Sequence, residues 1–273
     1  MVTSELEKMA NHLRLEAVRM VYEGKDGHPG PALSIADIVT TLYFDVMHID
    51  PSKPDWPDRD RFLLSKGHAC PIWYAALNER GYFGEKVEHF NLRALGSKFQ
   101  GHPVMNKTPG VDMTSGSLGN GIALGAGMAI AGKVQKKDYF VYVITGDGEL
   151  QEGIVWEGVN VATAHKLDNM IVFVDKNGWQ SGSSVEATIG ANNVAERFRG
   201  FCWDVQEING HDIDAIKQAI ERAKIISGKP HVIVCDDIKG KGLDYMENDN
   251  AWHKGVPSEE QFLEAVQQLG GVR

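Results

Sequence analysis

Residues 139–179 read YFVYVITGDGELQEGIVWEGVNVATAHKLDNMIVFVDKNGW, and this stretch decides the fold. One apolar run, residues 140–145, ends at Gly146-Asp147-Gly148, and a second, residues 170–175, ends at Lys176-Asn177-Gly178. Both runs have the length and the β-branched, aromatic composition of buried strands that end in turns. Residues 151–165 between them have the length and composition of a crossover helix. The stretch therefore predicts a βαβ unit with two parallel strands.

Asp147 and Asn177 follow the two predicted strands at a spacing of thirty positions. Both lie at the carboxyl edge of the predicted sheet, which is the edge where open α/β sheets bind ligands. One carboxylate and one amide oxygen are too few for Mg²⁺, which takes about six oxygens and commonly completes its shell with phosphates and water. A metal site here therefore predicts a diphosphate ligand. The alternative is an ordinary pair of strand ends with solvated polar side chains.

The pairing of Gly146-Asp147-Gly148 with Asn177 resembles the thiamine-diphosphate motif, and residues 146–153, GDGELQEG, resemble those of transketolases. The resemblance implies that Asp147 and Asn177 donate side-chain oxygens, and Trp179 its carbonyl oxygen, to Mg²⁺ or to Ca²⁺ or Mn²⁺. It also implies cofactor contacts from residues of the first strand end, namely Gly146, Asp147, Gly148 and Glu149, and from Asn177.

Residues 116–121, GSLGNG, open a predicted helix that continues to Ala131. Its three interior glycines, at 121, 125 and 127, each cost about 1 kcal/mol relative to alanine, so we expect another backbone to approach closely. The free N–H groups at its start predict an anion site. The alternative is a packing helix of small residues. The stretch is also similar to transketolases, which implies cofactor contacts from Gly116, Ser117 and Leu118, although Ser117 and Asn120 stand where that family more often has Pro and Gln.

Four histidines, His28, His68, His102 and His253, lie in predicted loops beside glycine or in the chain's tail. Imidazoles there can donate hydrogen bonds and transfer protons near neutral pH, although a lone histidine is more often structural. Their surrounding motifs match transketolase in order. The resemblance implies that the first three line a substrate channel and that His253 contacts diphosphate and substrate, with His68 and His253 also binding the cofactor.

Glu152 begins the crossover helix, five positions after Asp147. The resemblance implies that it meets an acidic residue across a subunit interface and couples paired active sites. The alternative is a helix-start carboxylate that stabilises the helix dipole by ~0.3–1 kcal/mol.

Further strands are predicted at residues 61–65, 203–208 and 231–237, and helices at 1–22, 85–95, 212–227 and 258–269. Residues 180–200 predict a loop over the cofactor edge. The fold class is therefore α/β, a mostly parallel sheet flanked by helices, which by resemblance is the diphosphate-binding type of the thiamine-diphosphate-binding fold. Residues 1–273 are interpreted as one such domain with an N-terminal helical elaboration, and their last four as a natural end.

The composition excludes several classes of protein. The net charge is −9 with scattered Lys and Arg, which argues against nucleic-acid binding. No apolar run approaches the ~18 residues of a membrane span. Three cysteines, Cys70, Cys202 and Cys235, show no metal or redox spacing and predict buried reduced thiols in a cytoplasmic protein. A nicotinamide dehydrogenase is disfavoured because the glycine spacing that binds a dinucleotide is missing.

A full transketolase is about twice this length, with a second domain that holds the aminopyrimidine ring and a C-terminal domain after it. The resemblance therefore implies the N-terminal subunit of a split transketolase, active only with a C-terminal subunit that carries the pyrimidine-binding domain, in an α2β2 assembly. The implied reaction transfers a two-carbon ketol unit from a ketose phosphate to an aldose phosphate. Three alternatives stay open: a fragment of a longer transketolase, a subunit of a 1-deoxyxylulose-5-phosphate-synthase-like or other thiamine-diphosphate carboligase, and a noncatalytic cofactor-binding scaffold.

Overall fold

Five parallel strands form one sheet in the computed structural model, which describes residues 1–190 and 193–271. The strands are β1 (Arg61–Leu64), β2 (Val141–Gly146), β3 (Met170–Lys176), β4 (Asp204–Asn209) and β5 (His231–Asp236). Their spatial order is β1-β2-β3-β5-β4, and every neighbouring pair is parallel. The predicted parallel α/β sheet is confirmed, and its carboxyl edge collects the segments that follow β1, β2, β3 and β5.

The sheet is buried on both faces by helices. The described residues form α1 (Thr3–Gly24), α2 (Pro29–Ser34), α3 (Ala36–Thr41), α4 (Cys70–Glu79), α5 (Asn120–Gln135), α6 (Gly153–Ala164), α7 (Val185–Ile189), α8 (Val194–Gly200), α9 (Ile213–Ile225) and α10 (Glu259–Gln268). Side chains of β2 alternate between two cores: Tyr142 and Ile144 join the core under α1, α4 and α9, while Val141 and Val143 join the core under α5 and α6. Because both faces of the strand are buried, nearly every position in it must be apolar, which explains the continuous apolar runs in the sequence.

Helix α5 packs closely against its neighbours through two of its three interior glycines. A Cβ at position 121 would collide with the side chain of Ser65, and one at position 125 would lie 2.8 Å from the Val143 side chain. Helix α6 approaches α5 at Gly158, where a Cβ would lie 2.9 Å from the backbone of Ala123. The predicted close approach therefore exists, but Gly127 takes no part in it and faces open space.

Three expectations from the sequence are wrong. Residues 85–95 form turns rather than a helix. The predicted loop at residues 180–200 contains α7 and α8, with positions 191 and 192 outside the described residues. Cys202 is exposed rather than buried, although Cys70 and Cys235 are buried and all three thiols are free. In the part of the chain that the structure describes, no helix combines the length and apolarity needed to cross a membrane.

Candidate active site

A cavity of 390 Å³ lies at the carboxyl edge of the sheet. Its walls come from the segments after β1, β2, β3 and β5 and from the loops before α2 and α5. Every site residue predicted from the sequence lines this cavity except Ser117, which is exposed beside it. The fold therefore brings together side chains that are more than two hundred positions apart.

Asp147 is a buried carboxylate whose surroundings suit a cation. Its two oxygens accept hydrogen bonds from the backbone N–H groups of Gly148 at 2.8 Å and Gly178 at 2.9 Å. Burial, followed by the charge of Asp175, raises the pKa of Asp147 to about 7. A positive ion beside this group would offset the cost of keeping it ionised.

Asn177 lies at the neighbouring strand end, and its side-chain oxygen accepts a hydrogen bond from the Trp179 backbone N–H at 3.0 Å. No group of three or more His, Cys, Asp or Glu side chains within residues 1–190 and 193–271 is arranged to hold a metal. The donors at hand are one carboxylate, one amide oxygen and backbone carbonyls. This set fits Mg²⁺ or Ca²⁺ only if phosphate and water oxygens complete the shell.

Three of the predicted histidines form a compact cluster. The ring centres lie 5.2 Å apart for His28 and His68, 5.1 Å for His68 and His253, and 5.6 Å for His28 and His253. His102 lines the same cavity. The Nδ1 atom of His28 is buried and has no hydrogen-bond partner among the described residues.

All four imidazoles are neutral near pH 7. Burial and then the charge of Arg93 lower the pKa of His28 to about 4, and burial and then Lys239 lower the pKa of His253 to about 3. The pKa values of His68 and His102 are lowered too, chiefly by burial. Neutral imidazoles can both donate and accept hydrogen bonds, so they can bind polar groups of a ligand in the cavity.

Lys239 is a residue of the cavity that the sequence analysis missed. Its buried ammonium group donates to Asn250 Oδ1 at 2.7 Å and to His253 Nδ1 at 3.0 Å. Because His253 accepts at Nδ1, its proton is on Nε2. Burial and then the nearby Lys66 lower the pKa of Lys239 to about 8. Lys239 follows β5, so the strand-end rule that identified Asp147 and Asn177 would also have found it.

Lys66 and Asp175 form a buried ion pair in the cavity wall, and the sequence analysis missed this pair as well. Lys66 also donates to the Pro31 carbonyl oxygen at 2.9 Å, and Asp175 accepts from Ser34 Oγ at 2.7 Å. Burial and then the charge of Asp175 raise the pKa of the adjacent Asp237 well above its usual range, which favours the neutral form of this carboxyl group.

Glu149 lines the cavity, but its carboxylate holds the site's framework together. It accepts from the Gly119 N–H at 2.6 Å, from the Gly146 N–H at 3.0 Å and from the Ser65 hydroxyl. Ser65 Oγ in turn accepts from the Gly121 N–H at 3.0 Å. The N–H groups at the start of α5, which we expected to bind an external anion, are thus partly occupied by this internal carboxylate and hydroxyl.

The remaining predicted residues lie at the mouth of the cavity. Glu152 is exposed and precedes α6, and its side chain caps no N–H group of that helix. Gly116 has φ 142°, and a Cβ there would lie 3.4 Å from the ring of His102. Leu118 is half-buried in the wall. Gly116 and Glu152 are both exposed, so the cavity is open to solvent near these residues.

Comparison with known proteins places the chain in a family. A model described as the transketolase, thiamine diphosphate binding domain matches residues 6–272. The chain belongs to this family. It is 39% identical over 267 residues to a protein of Phocaeicola vulgatus named as one of the subunits of apulose-4-phosphate transketolase, covering 98% of this chain and 94% of the relative. It is also 39% identical over 265 residues to the 6-deoxy-6-sulfo-D-fructose transketolase subunit SqwG of a Clostridium species, covering 97% and 96%.

Solved structures of transketolases share the fold. The chain superposes on the transketolase of Campylobacter jejuni with a TM-score of 0.92 at 35% identity, covering 99% of this chain and 43% of that one. For the transketolase of Leishmania mexicana the TM-score is 0.90 at 32% identity, with 97% and 41% covered. The predicted thiamine-diphosphate-binding fold is therefore confirmed. The chain spans about two fifths of these solved chains.

Proposed function

We propose that this chain is the diphosphate-binding subunit of a two-chain transketolase that uses thiamine diphosphate and a divalent metal. The observation that carries the proposal is the convergence of Asp147, Asn177 and four neutral histidines on one cavity. The family match supports the cofactor. The two relatives named as transketolase subunits, matched over nearly their whole length, support the two-chain organisation and favour ketol transfer over a deoxyxylulose-phosphate-synthase-like reaction.

In this proposal Asp147, Asn177 and the Trp179 carbonyl oxygen hold Mg²⁺, with Ca²⁺ or Mn²⁺ as alternative ions. Lys239 and the Nε2–H group of His253 contribute positive charge and a donor for the diphosphate. Residues of two segments shape the cofactor pocket, namely Gly116, Ser117, Leu118, Gly146, Gly148 and Glu149. Thiamine diphosphate, when bound, supplies the electron sink that lets a carbon–carbon bond beside a carbonyl group break and form again.

In this proposal, His28, His68 and His102 act as general acids and bases. Cleavage of a ketose beside its carbonyl group requires removal of the proton from the neighbouring hydroxyl group, and the reverse step requires its return. His28, His68 and His102 are suited to this exchange because they are neutral and line the cavity where a sugar would enter. General acid–base catalysis of this kind contributes about 10²–10⁴-fold in rate.

A partner subunit is part of the proposal. Apolar side chains are exposed on α5 and α6, with exposed fractions of 46% for Leu124, 76% for Val134 and 42% for Val161. A partner that packs against these two helices would remove these side chains from water. The partner would cover it, close the open side of the cavity near Glu152 and supply the pyrimidine-binding domain, in an assembly of two copies of each chain located in the cytoplasm.

The test is reconstitution. We expect no ketol transfer from the purified chain alone, and turnover of ketose phosphates once a second polypeptide with the pyrimidine-binding domain is added. Light scattering should then report two copies of each chain. The matched control is the same mixture with Asp147→Ala, which should be inactive. Robust turnover by the chain alone contradicts the two-chain proposal, and condensation of pyruvate with glyceraldehyde phosphate favours the synthase instead.

A further inference from the structure

The buried carboxylate of Asp175 accepts a hydrogen bond from the side-chain amide of Asn177. One oxygen of Asp175, Oδ2, accepts from Asn177 Nδ2 at 2.7 Å, from Ser34 Oγ at 2.7 Å and from Lys66 Nζ. Asp175 is fully buried, and Lys66 is 3% exposed. The amide nitrogen of Asn177 is thus tied to an anion that is itself fixed from two other elements, α2 and the segment after β1.

The hydrogen bond of the Asn177 side-chain oxygen also permits only one of the two orientations of the amide group. Asn177 Oδ1 accepts from the Trp179 backbone N–H, which can only donate, while a carboxylate such as Asp175 can only accept. Turning the amide by 180° would set nitrogen against the N–H group and oxygen against the carboxylate. Both contacts would then be repulsive, so the two neighbours together dictate which atom of Asn177 occupies each position.

We propose that Asp175 is a positioning residue that turns the oxygen of Asn177, rather than its NH₂ group, toward the metal, with Lys66 as its buried counter-ion. The inference rests on the proposed function, in which Asn177 is a metal ligand. Its physical reason is that an amide NH₂ group has no lone pair to offer a cation, whereas Mg²⁺ selects oxygen. A wrongly turned amide would therefore remove one ligand.

A double-mutant cycle tests this role. Calorimetry would measure the affinity for thiamine diphosphate with Mg²⁺ in four proteins, each reconstituted with the second polypeptide that carries the pyrimidine-binding domain: wild type, Asp175→Asn, Asn177→Asp and the double variant. With asparagine at 177, Asp175→Asn should weaken binding by about tenfold or more. The reason is that an amide at position 175 can both donate and accept, so it no longer dictates the orientation of the Asn177 amide. With aspartate at 177 the two oxygens are equivalent, so Asp175→Asn should cause no loss and should relieve repulsion between two carboxylates.

The effect of Asp175→Asn on affinity, compared between asparagine and aspartate at position 177, distinguishes a positioning role from a role in folding alone. A residue needed only for stability would lower affinity by the same factor in both backgrounds, and that result overturns the proposal. Lys176→Met is the matched control, since it removes the Lys176–Asp236 pair on the same strand, at 2.6 Å, and should leave binding unchanged. Absence of binding by the wild type overturns the proposed function together with this inference, whereas wild-type binding without coupling overturns the inference alone.

A second measurement is made on the wild type itself, and a variant serves only to assign the signals. In the metal-free wild type, the Nδ2 protons of Asn177, assigned by their loss in Asn177→Asp, should exchange slowly with solvent because Asp175 holds them. Exchange as fast as that of a solvated asparagine would overturn the proposal whatever the stability of the variants.

Discussion

Asp147→Asn should change the pH dependence of folding of the metal-free chain in a defined direction. Asp147 is 2% exposed, and its pKa is raised from 3.8 to about 7 in the folded protein by burial and by the charge of Asp175. The folded protein thus holds this proton more tightly than the unfolded chain does. Stability contributed by this group therefore falls as the pH rises from the unfolded value through the folded one.

The magnitude follows from the two pKa values. At about pH 5 the group costs roughly 1.7 kcal/mol relative to a side chain that is always neutral, and at about pH 8 it costs roughly 4 kcal/mol. Asparagine at position 147 removes this cost. It lowers folding stability by about 1–2 kcal/mol for another reason, because its NH₂ group faces a backbone N–H that donates to Asp147 in the wild type. That loss is independent of pH. The stability of Asp147→Asn relative to wild type should therefore rise by roughly 2.5 kcal/mol between about pH 5 and about pH 8.

Urea unfolding of both proteins in chelator at the two pH values measures this difference. The histidines of the cavity titrate in both proteins, so their contribution cancels in the comparison. Mg²⁺ with thiamine diphosphate should then stabilise the wild type and leave the variant unchanged. A relative stability that does not vary with pH would refute the account of Asp147 as a buried, insufficiently compensated carboxylate.

Two further predictions concern the histidines and helix α5. Single replacements of His28, His68 or His102 by alanine should lower turnover of the reconstituted enzyme by about 10²-fold with a smaller effect on cofactor affinity; full activity of all three variants contradicts their catalytic role. Gly127→Ala should stabilise the isolated chain by about 0.5–1 kcal/mol and weaken its assembly with a partner, whereas Gly121→Ala should destabilise the isolated chain. Thermal unfolding measures the stability of both variants, and light scattering measures their assembly. Equal effects of the two substitutions would contradict the packing described for α5.

The sequence predicted the elements whose signal is local. The apolar runs at residues 140–145 and 170–175 became β2 and β3 within one or two positions, and Asp212 and Ser258 cap the helices that they were expected to begin. The edge of the sheet that holds the cavity follows from parallel pairing alone. Loop histidines were found because their glycine and proline neighbours mark turns.

Features that depend on distant contacts could not be predicted in this way. In the sequence Asp175 is the last residue of a strand and Lys66 a residue of a turn, and only the fold shows that they pair. Within residues 85–95, where a helix was predicted, Asn91 and Arg93 have positive φ values of 48° and 63°, which a right-handed helix does not permit. The anion at the start of α5 proved to be Glu149, thirty positions away from Gly119, and spacing alone did not distinguish it from a cofactor ligand.

The cavity also constrains how the chain folds. His28 and His253 meet with ring centres 5.6 Å apart, and β1 pairs with a strand that begins 80 positions after it. Parallel pairings and contacts between such remote segments are slow to form, because long loops must close before any contact stabilises them. Refolding should therefore produce helical content well before the histidines come together, and cofactor binding should appear only in the slowest phase. A nascent chain that ends before β5 would lack Lys239 and His253, so its binding site would be incomplete.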